Sequence, residues 1–490
     1  MNVGIRRVAY GVVVLMLVLV GQLTWLQVVD AKKLADNGHN PRHIFEQFNS
    51  PRGKIISAEG TVLARSTDVK DEYGKQREYP LKDLVSQIVG YQSITVGNTG
   101  LESTYNDVLL GKGRSTIGLQ DVVDFLKGKK RVGNLITSLR VDAQQKAKDL
   151  LGAQKGSVVV IKPATGEIVA MYSNPSFDPT PLTSHDPKVV QTYFDLLNAA
   201  PDNPALPRAF REIYPPGSTF KTVTTTASID EIPGVTTRTF PSGTSFLPPQ
   251  AGKSISNFGG ERCGGTLEQS FIVSCNITFA RLGLELGEKF PPAMGKFGIY
   301  SRPPLDVAPG AVASTGPVPG SFENNKPEFA LAGIGQGNVF TTPLQMALVA
   351  AGIANQGVIM QPHVGTFVTD DAGKRLDQIN PKVWKTATSP TTAAQVRDYM
   401  VQVVNSRGGT GTAARLPGIT VAGKTGTAQT DSDPRPHAWF VAFAPAEAPQ
   451  YAVSVIVEHG GSEQSEATGG RVAAPIARDM LQFLLSTPTP

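Results

Sequence analysis

Apolar positions crowd most densely at the start of the chain, where Val8 to Val29 is interrupted only mildly, by Gln22 and Gln27. As a helix, a run of this length spans the hydrocarbon core of a bilayer. Arg6 and Arg7 precede it, and positive charge stays on the cytoplasmic side, so the pattern predicts a short cytoplasmic tail and an extracytoplasmic remainder. A cleaved signal would have a shorter core and a clear small-residue cleavage site, and Asp30-Ala31 is a weak match for one; a retained anchor is the expectation. Beyond it the apolar positions fall into short runs. GKIIS and TVLARS flank the turn pair Glu59-Gly60 and read as strands, and Leu81 to Val89 reads as helical. Gly111 to Arg114 is too short for a phosphate loop and reads as a turn. From Gly156, the runs GSVVVI and EIVAMYS around the turn Pro163 to Gly166 predict a β-hairpin with a buried face. GIGQGNVFTTPLQMALVAAGIANQG reads as a turn feeding a long apolar helix. Val421 to Ala428, HAWFVAFAP and YAVSVIVEHG read as three strands of an antiparallel sheet, and a closing helix is predicted near Ala474 to Leu485.

Length and charge narrow the picture. At 490 residues, two folded parts after the anchor are expected rather than one very large domain. A formal charge of +5 suits anionic membrane or cell-wall surroundings, and no basic run with interleaved aromatics suggests nucleic acid. The two cysteines and six histidines show no metal-binding spacing, so neither a metal nor a cofactor is expected.

Candidate chemistry begins at Tyr214 to Lys221, YPPGSTFK. Pro-Pro-Gly cannot sit inside a helix, and STFKTVTTTASI contains no breaker, so a helix should begin at or beside Ser218. Three residues on, Lys221 lies on the same face, and its amine can reach the Ser218 hydroxyl. A lysine becomes a base for such a hydroxyl only when burial or a nearby cation lowers its pKa. S-x-x-K alone is common, with a solvated lysine at a helix start as its ordinary explanation. Ser274-Cys275-Asn276 and Lys424-Thr425-Gly426 follow it in order. With the middle residue of the second triplet allowed to vary, the set is the signature of serine β-lactamases and penicillin-binding proteins. Singly, Asn276 would pass for a helix cap, Ser274 for a solvated hydroxyl, and Thr425 and Gly426 for strand-end turn residues. A Ser-His-Asp hydrolase is disfavoured, because Pro216 to Phe220 lacks the second glycine of G-x-S-x-G.

The chain resembles class B penicillin-binding proteins over nearly its whole length after the anchor. Arg52, Gly53 and Ile55 with Gly60, Leu63 and Ala64 are similar to their R-G-x-I…G-x-x-L-A element, and Gly97, Gly100, Glu102, Tyr105, Leu109 and Gly111 to G-x-x-G-x-E-x-x-Y. Thr137, Asp142 and Gln145 approximate a third element with one extra residue, and Arg208-Ala209 precede the serine as in the family. The resemblance implies an α+β fold: a serine β-lactamase/transpeptidase-like domain, with an antiparallel sheet flanked by helices and a helical subdomain, preceded by a transmembrane helix and a smaller β-containing N-terminal domain. The implied divisions are 1–30 tail and anchor, 31–150 stem or interaction domain, and 151–490 transpeptidase domain. The stem is too short for a glycosyltransferase, which implies a monofunctional enzyme.

By the same resemblance, Ser218 attacks the penultimate D-Ala carbonyl of a peptidoglycan stem peptide ending in D-Ala-D-Ala, and Lys221 takes its proton. Lys424 depresses the Lys221 pKa, Ser274 protonates the leaving amine, and Asn276 holds the substrate amide. Thr425, Gly426 and Thr427 with Lys424 form the carboxylate end of the site, and the backbone N–H groups of Ser218 and Thr427 form the oxyanion hole. An acceptor amine then releases a crosslink, while β-lactam antibiotics trap Ser218. Expected partners are a glycosyltransferase and other division or elongation proteins, on the outer side of a single-pass cell-membrane anchor. For Cys263 and Cys275, twelve residues apart, a disulfide and a buried Cys275 thiol with an unrelated Cys263 both stay open. A β-lactamase or β-lactam sensor is the first alternative. Against it, Glu328 to Ala332 reads E-F-A-L-A rather than E-x-x-L-N. The second alternative is a non-catalytic scaffold of the cell-wall machinery.

Overall fold

Long stretches of strand in this protein are buried at every position, which requires a sheet covered on both faces. The structure is a computed structural model that describes residues 3–29, 48–112, 132–429 and 435–487. Asp30-Ala31, and Gly113 and Arg114 of the expected turn, lie outside the described residues.

By compactness the chain divides into Met1–Pro51 with Ser66–Gln76, and Arg52–Arg65 with Arg77–Pro490. In the first unit, α1 (Val3–Thr24) continues into a π-helical turn, Trp25–Val29, and none of the α1 residues is buried. Val3–Gln27 is long and apolar enough to cross a membrane.

The second unit opens on β1 (Ile55–Ile56) and the first residues of β2 (Val62–Asp68), which pair antiparallel across the Glu59-Gly60 turn, Ile55 opposite Ala64. Next, β3 (Asn134–Thr137) runs parallel to β1, Ile55 opposite Leu135. Leu81 to Val89 folds as a 3₁₀ turn, Lys82–Leu84, and a single helical turn, Ser86–Val89. Arg52 and Arg77 both donate to the fully buried Glu102 carboxylate, at 2.7 and 2.5 Å, and tie the ends of this region together. Although burial pushes the other way, the two guanidiniums, Arg77 foremost, hold the Glu102 carboxyl below its usual range.

After β3, α2 (Val141–Leu151) leads into the hairpin β4 (Gly156–Ile161) and β5 (Ile168–Asn174). The glutamine of α2 that reaches back is Gln144, which is buried and exchanges two hydrogen bonds with the Met171 backbone while also donating to Leu84 O. Gln145, the residue expected from spacing, instead turns outward to Asp149.

The polar region between the hairpin and the later strands forms the helical part. Here α3 (Lys221–Glu231) is buried on all sides from Lys221 to Ser228, despite its hydroxyl-rich sequence. Thr226 and Ser228 satisfy themselves by donating to Thr222 O and Thr224 O one turn back, at 2.8 and 2.7 Å, and Thr224 donates to Gly333 O. α4 (Leu267–Ile272) and α5 (Asn276–Leu286) form a helical pair joined by the Ser274 turn, and α5 packs on α3. The predicted apolar helix is α6 (Pro343–Ala354), buried along nearly its whole length and packed on the sheet. β6 (Gly365–Thr369) then pairs with β3, so the sheet begun near Ile55 is completed from the later chain. Finally α7 (Pro390–Asn405), β7 (Ala422–Ala428), β8 (His437–Ala444), β9 (Tyr451–Val457) and α8 (Ala474–Ser486) close the unit.

The main sheet has the order β7-β8-β9-β4-β5, antiparallel throughout. The hairpin and the three later strands, read separately from the apolar pattern, therefore form one sheet. With α6 and α8 packed on it, this is the expected α+β arrangement.

Candidate active site

A turn against a strand builds the centre. Gly217–Phe220 is a 3₁₀ turn that runs straight into α3 at Lys221, so Ser218 sits in the turn that leads into the helix. Gly217 adopts φ 52°, open to glycine at little strain, and a Cβ there would lie 2.6 Å from Thr427 O. Across the gap, a Cβ on Gly426 would lie 2.7 Å from Pro216 O and 2.8 Å from Thr219 Cγ2. Two glycines thus let the edge strand β7 close on the serine turn. Trp439 on β8 donates its indole N–H to Pro215 O at 3.0 Å and fixes the lead into that turn. Behind it, Tyr214 and Arg208 both donate to the buried Glu458 carboxylate, at 2.7 and 2.9 Å.

Ser274 is the hub of the site. It connects α4 to α5 at φ 60°, a left-handed conformation rare outside glycine. Lys221 Nζ donates to Ser274 O at 2.7 Å, Ser274 Oγ at 3.2 Å and Asn276 Oδ1 at 2.7 Å. Lys424 Nζ donates to the same Ser274 Oγ at 3.0 Å and to Thr425 O at 3.2 Å. Both lysines are fully buried, over the rings of Phe279 and Phe271 respectively. The direct Ser218–Lys221 hydrogen bond that the spacing allows is not among these contacts: Lys221 Nζ faces three oxygens of the Ser274–Asn276 turn instead.

Burial pushes Lys221 well below the usual lysine range, and the neighbouring Lys424 charge pushes it further. Burial also lowers Lys424, to about 7. The lysine-on-lysine effect expected from sequence is therefore present but second to desolvation.

A cleft of about 1100 Å³ opens over this centre and is lined by Ser218, Ser274, Asn276, Thr425 and Thr427 together. Cys263 also lines it, and Cys263 and Cys275 form a disulfide with Cα atoms 5.7 Å apart. One cleft wall is the loop from Ser254 to Cys263. It is held by Asn276 Nδ2 donating to Ser256 O at 2.8 Å, and by Asn257, whose side chain bridges Ile277 N, Gly243 O and Glu261 O. Sequence reasoning missed Asn257 and Thr410. Thr410 lines the cleft with its hydroxyl 2.7 Å from that of Thr425. An asparagine in a polar loop and a threonine in a Gly-rich turn carry no local signal, because their partners lie 20 and 15 residues away.

Residues 156–482 match the penicillin binding protein transpeptidase domain, and residues 52–136 match the penicillin binding protein A dimerisation domain. The chain is 37% identical over 496 residues to the peptidoglycan D,D-transpeptidase PbpA of Mycolicibacterium smegmatis, covering 98% of each chain. It is 36% identical over 506 residues to PbpA of Mycobacterium tuberculosis, covering 99% of each. Among solved structures, penicillin-binding protein A from M. tuberculosis as a ceftriaxone acyl-enzyme complex superposes with TM-score 0.81 at 33% identity, over 89% of this chain and 99% of that one. Its penicillin G acyl-enzyme complex gives TM-score 0.79 at 34% identity, over 89% of this chain and 100% of that one. With a buried lysine pair joined at Ser274 under a cleft that Ser218 opens onto, and with these matches along nearly its full length, the chain belongs to the penicillin-binding protein transpeptidase family.

Proposed function

We propose that this protein is a peptidoglycan D,D-transpeptidase that works through an acyl-enzyme on Ser218 and is inhibited by β-lactams. The observation that carries the reading is the Ser274 hydroxyl shared by two buried lysines at the floor of the cleft that Ser218 lines. A buried lysine pair of this kind favours one neutral amine and one ammonium. We assign the neutral form to Lys221, which burial and the neighbouring Lys424 charge both push down. A neutral Lys221 donates two hydrogen bonds and offers a lone pair, which accepts the Ser218 proton as Ser218 Oγ attacks the penultimate D-Ala carbonyl. The Ser218 and Thr427 N–H groups receive the developing oxyanion. Ser274 relays the proton to the departing D-Ala amine, and an acceptor amine from a neighbouring stem then displaces Ser218 and completes the crosslink. Lys424 as ammonium, with the Thr425 and Thr427 hydroxyls, holds the terminal carboxylate, and Gly426 gives the backbone room to approach the serine turn. Asn276 aligns the substrate amide.

In the same reading, residues 1–30 are a cytoplasmic tail and single-pass anchor, 31–150 a stem that meets partners such as a glycosyltransferase or division or elongation proteins, and 151–490 the extracytoplasmic transpeptidase domain. The length and apolarity of Val3–Gln27, and Arg6 and Arg7 before its centre, support this orientation. Incubating the full chain in detergent with a stem pentapeptide ending in D-Ala-D-Ala and a labelled D-amino acid tests the activity. Ser218-dependent exchange of the terminal D-Ala is expected. Exchange that persists in Ser218→Ala, or is absent from the folded wild type, contradicts it.

A further inference from the structure

We propose that Thr410 is a positioning residue for substrate carboxylate recognition, acting through the hydroxyl of Thr425. This rests on the transpeptidase reading above and deepens it at the carboxylate end of the cleft. The Thr410 and Thr425 hydroxyl oxygens are 2.7 Å apart, and both residues line the cleft. A hydroxyl has one proton and two lone pairs. When Thr410 donates to Thr425 Oγ1, the Thr425 proton is left to point elsewhere, and the open cleft is where it can go. The donated bond also polarises Thr425 and strengthens the bond it makes in turn to an anion. If the direction were reversed, the Thr425 proton would be engaged by Thr410 and withheld from the substrate. Lys424 Nζ, which donates to Thr425 O at 3.2 Å, adds the positive charge that selects the anion-facing orientation.

Thr410 is held from two sides. The turn after α7 closes with Gly411 N donating to Val403 O at 3.0 Å. At Gly409 a Cβ would lie 2.2 Å from Val403 O, and at Gly470 a Cβ would lie 2.5 Å from Thr410 O. The loop is thus pressed between the end of α7 and the segment after β9, which presents the Thr410 hydroxyl in a set place although the residue itself is exposed. Unlike Thr427, whose hydroxyl accepts from Gly469 N at 3.4 Å, Thr425 has a hydroxyl partner that can fix its proton.

The test compares acylation of the full chain by penicillin G and by penicillin G methyl ester, which keeps the β-lactam but removes the anion. Wild type should acylate faster with the acid. Thr410→Val should reduce that acid-over-ester ratio by about tenfold, through weaker binding with an unchanged maximal acylation rate, as loss of one hydrogen bond to a charged group implies. Thr410→Ser, which keeps the hydroxyl, should restore the ratio. Equal loss with acid and ester would make Thr410 merely structural and overturn the proposal, as would an unchanged ratio in Thr410→Val or a collapsed ratio in Thr410→Ser. If Thr410→Val fails to melt cooperatively, the smaller Thr410→Ala replaces it with the same expectation. Wild-type protein that penicillin G does not acylate would overturn the transpeptidase reading itself and this proposal with it.

Discussion

Two lysines fully buried around one serine hydroxyl make an unstable pairing unless their protonation states differ, and pH is the variable that exposes this. Lys424 is held at about 7 by burial, so its ammonium is present below that pH and lost above it. If that ammonium grips the carboxylate, the second-order rate of acylation by penicillin G should fall as pH rises through about 7. Lys424→Arg stays charged and should move the falling limb to higher pH; an unmoved limb would assign the titration to another group. Lys221 makes a separate prediction about stability. Its folded pKa lies well below the 10.5 of the free side chain, so between those values the unfolded chain binds the extra proton and stability rises with pH. Lys221→Met should therefore flatten the dependence of melting temperature on pH across the neutral to alkaline range, and an unchanged slope would show that Lys221 is not depressed. At this scale the sequence exposed Ser218, Lys221, Ser274, Asn276 and Lys424, because they recur in a fixed order of short motifs. It did not expose Asn257 or Thr410, whose contacts are made only when distant loops meet.

Among the elements, the approach of β7 to the serine turn is the one on which the site depends. Gly426→Ala would place a methyl carbon 2.7 Å from Pro216 O, 2.8 Å from Thr219 Cγ2 and 3.0 Å from Trp439 Cβ, and the first and last of these neighbours are held by backbone or by a packed indole. The strand must then shift away from Ser218, so acylation by penicillin should drop at least about a hundredfold, as misplacement near an ångström typically causes. Stopped-flow acylation reads this directly, and a near-wild-type rate would show that the approach is not critical. In the sheet around β1, Glu102→Ala would leave Arg52 and Arg77 buried without their carboxylate, a change that costs about 3–5 kcal/mol. Denaturant titration should show that loss, and a change within error would mean the guanidiniums find other partners. Four strands of the main sheet, β4, β5, β8 and β9, were legible as largely apolar runs, whereas β7, AGKTGTA, carries the third motif. α3 was legible only as a stretch without breakers: threonines and serines suggest an exposed helix, and its burial depends on hydroxyls that bond their own turns. β1 is too short for any periodicity, and its sheet is completed by β6, some two hundred residues beyond β3 in the chain, a pairing that no local pattern encodes.

For the molecule as a whole, the family's order of parts was visible early, since the N-terminal apolar run, the N-terminal elements and the three motifs occur in sequence. The comparisons agree with that order, the dimerisation-domain match ending at residue 136 and the transpeptidase-domain match beginning at 156. Less visible was how the lysine pair comes to be buried: Lys221 on α3 and Lys424 on β7 meet Phe271 of α4 and Phe279 of α5, residues from separate parts of the chain. If Ser218 is the nucleophile of a transpeptidase, its penicillin acyl-enzyme should form and should be long-lived. Intact-protein mass spectrometry of the full chain with penicillin G, followed over hours beside Ser218→Ala, tests it most directly. A single adduct that maps to Ser218, persists, and is absent from the variant is the predicted result. An adduct that turns over rapidly would indicate a hydrolase, and a folded protein that forms no adduct would contradict the account.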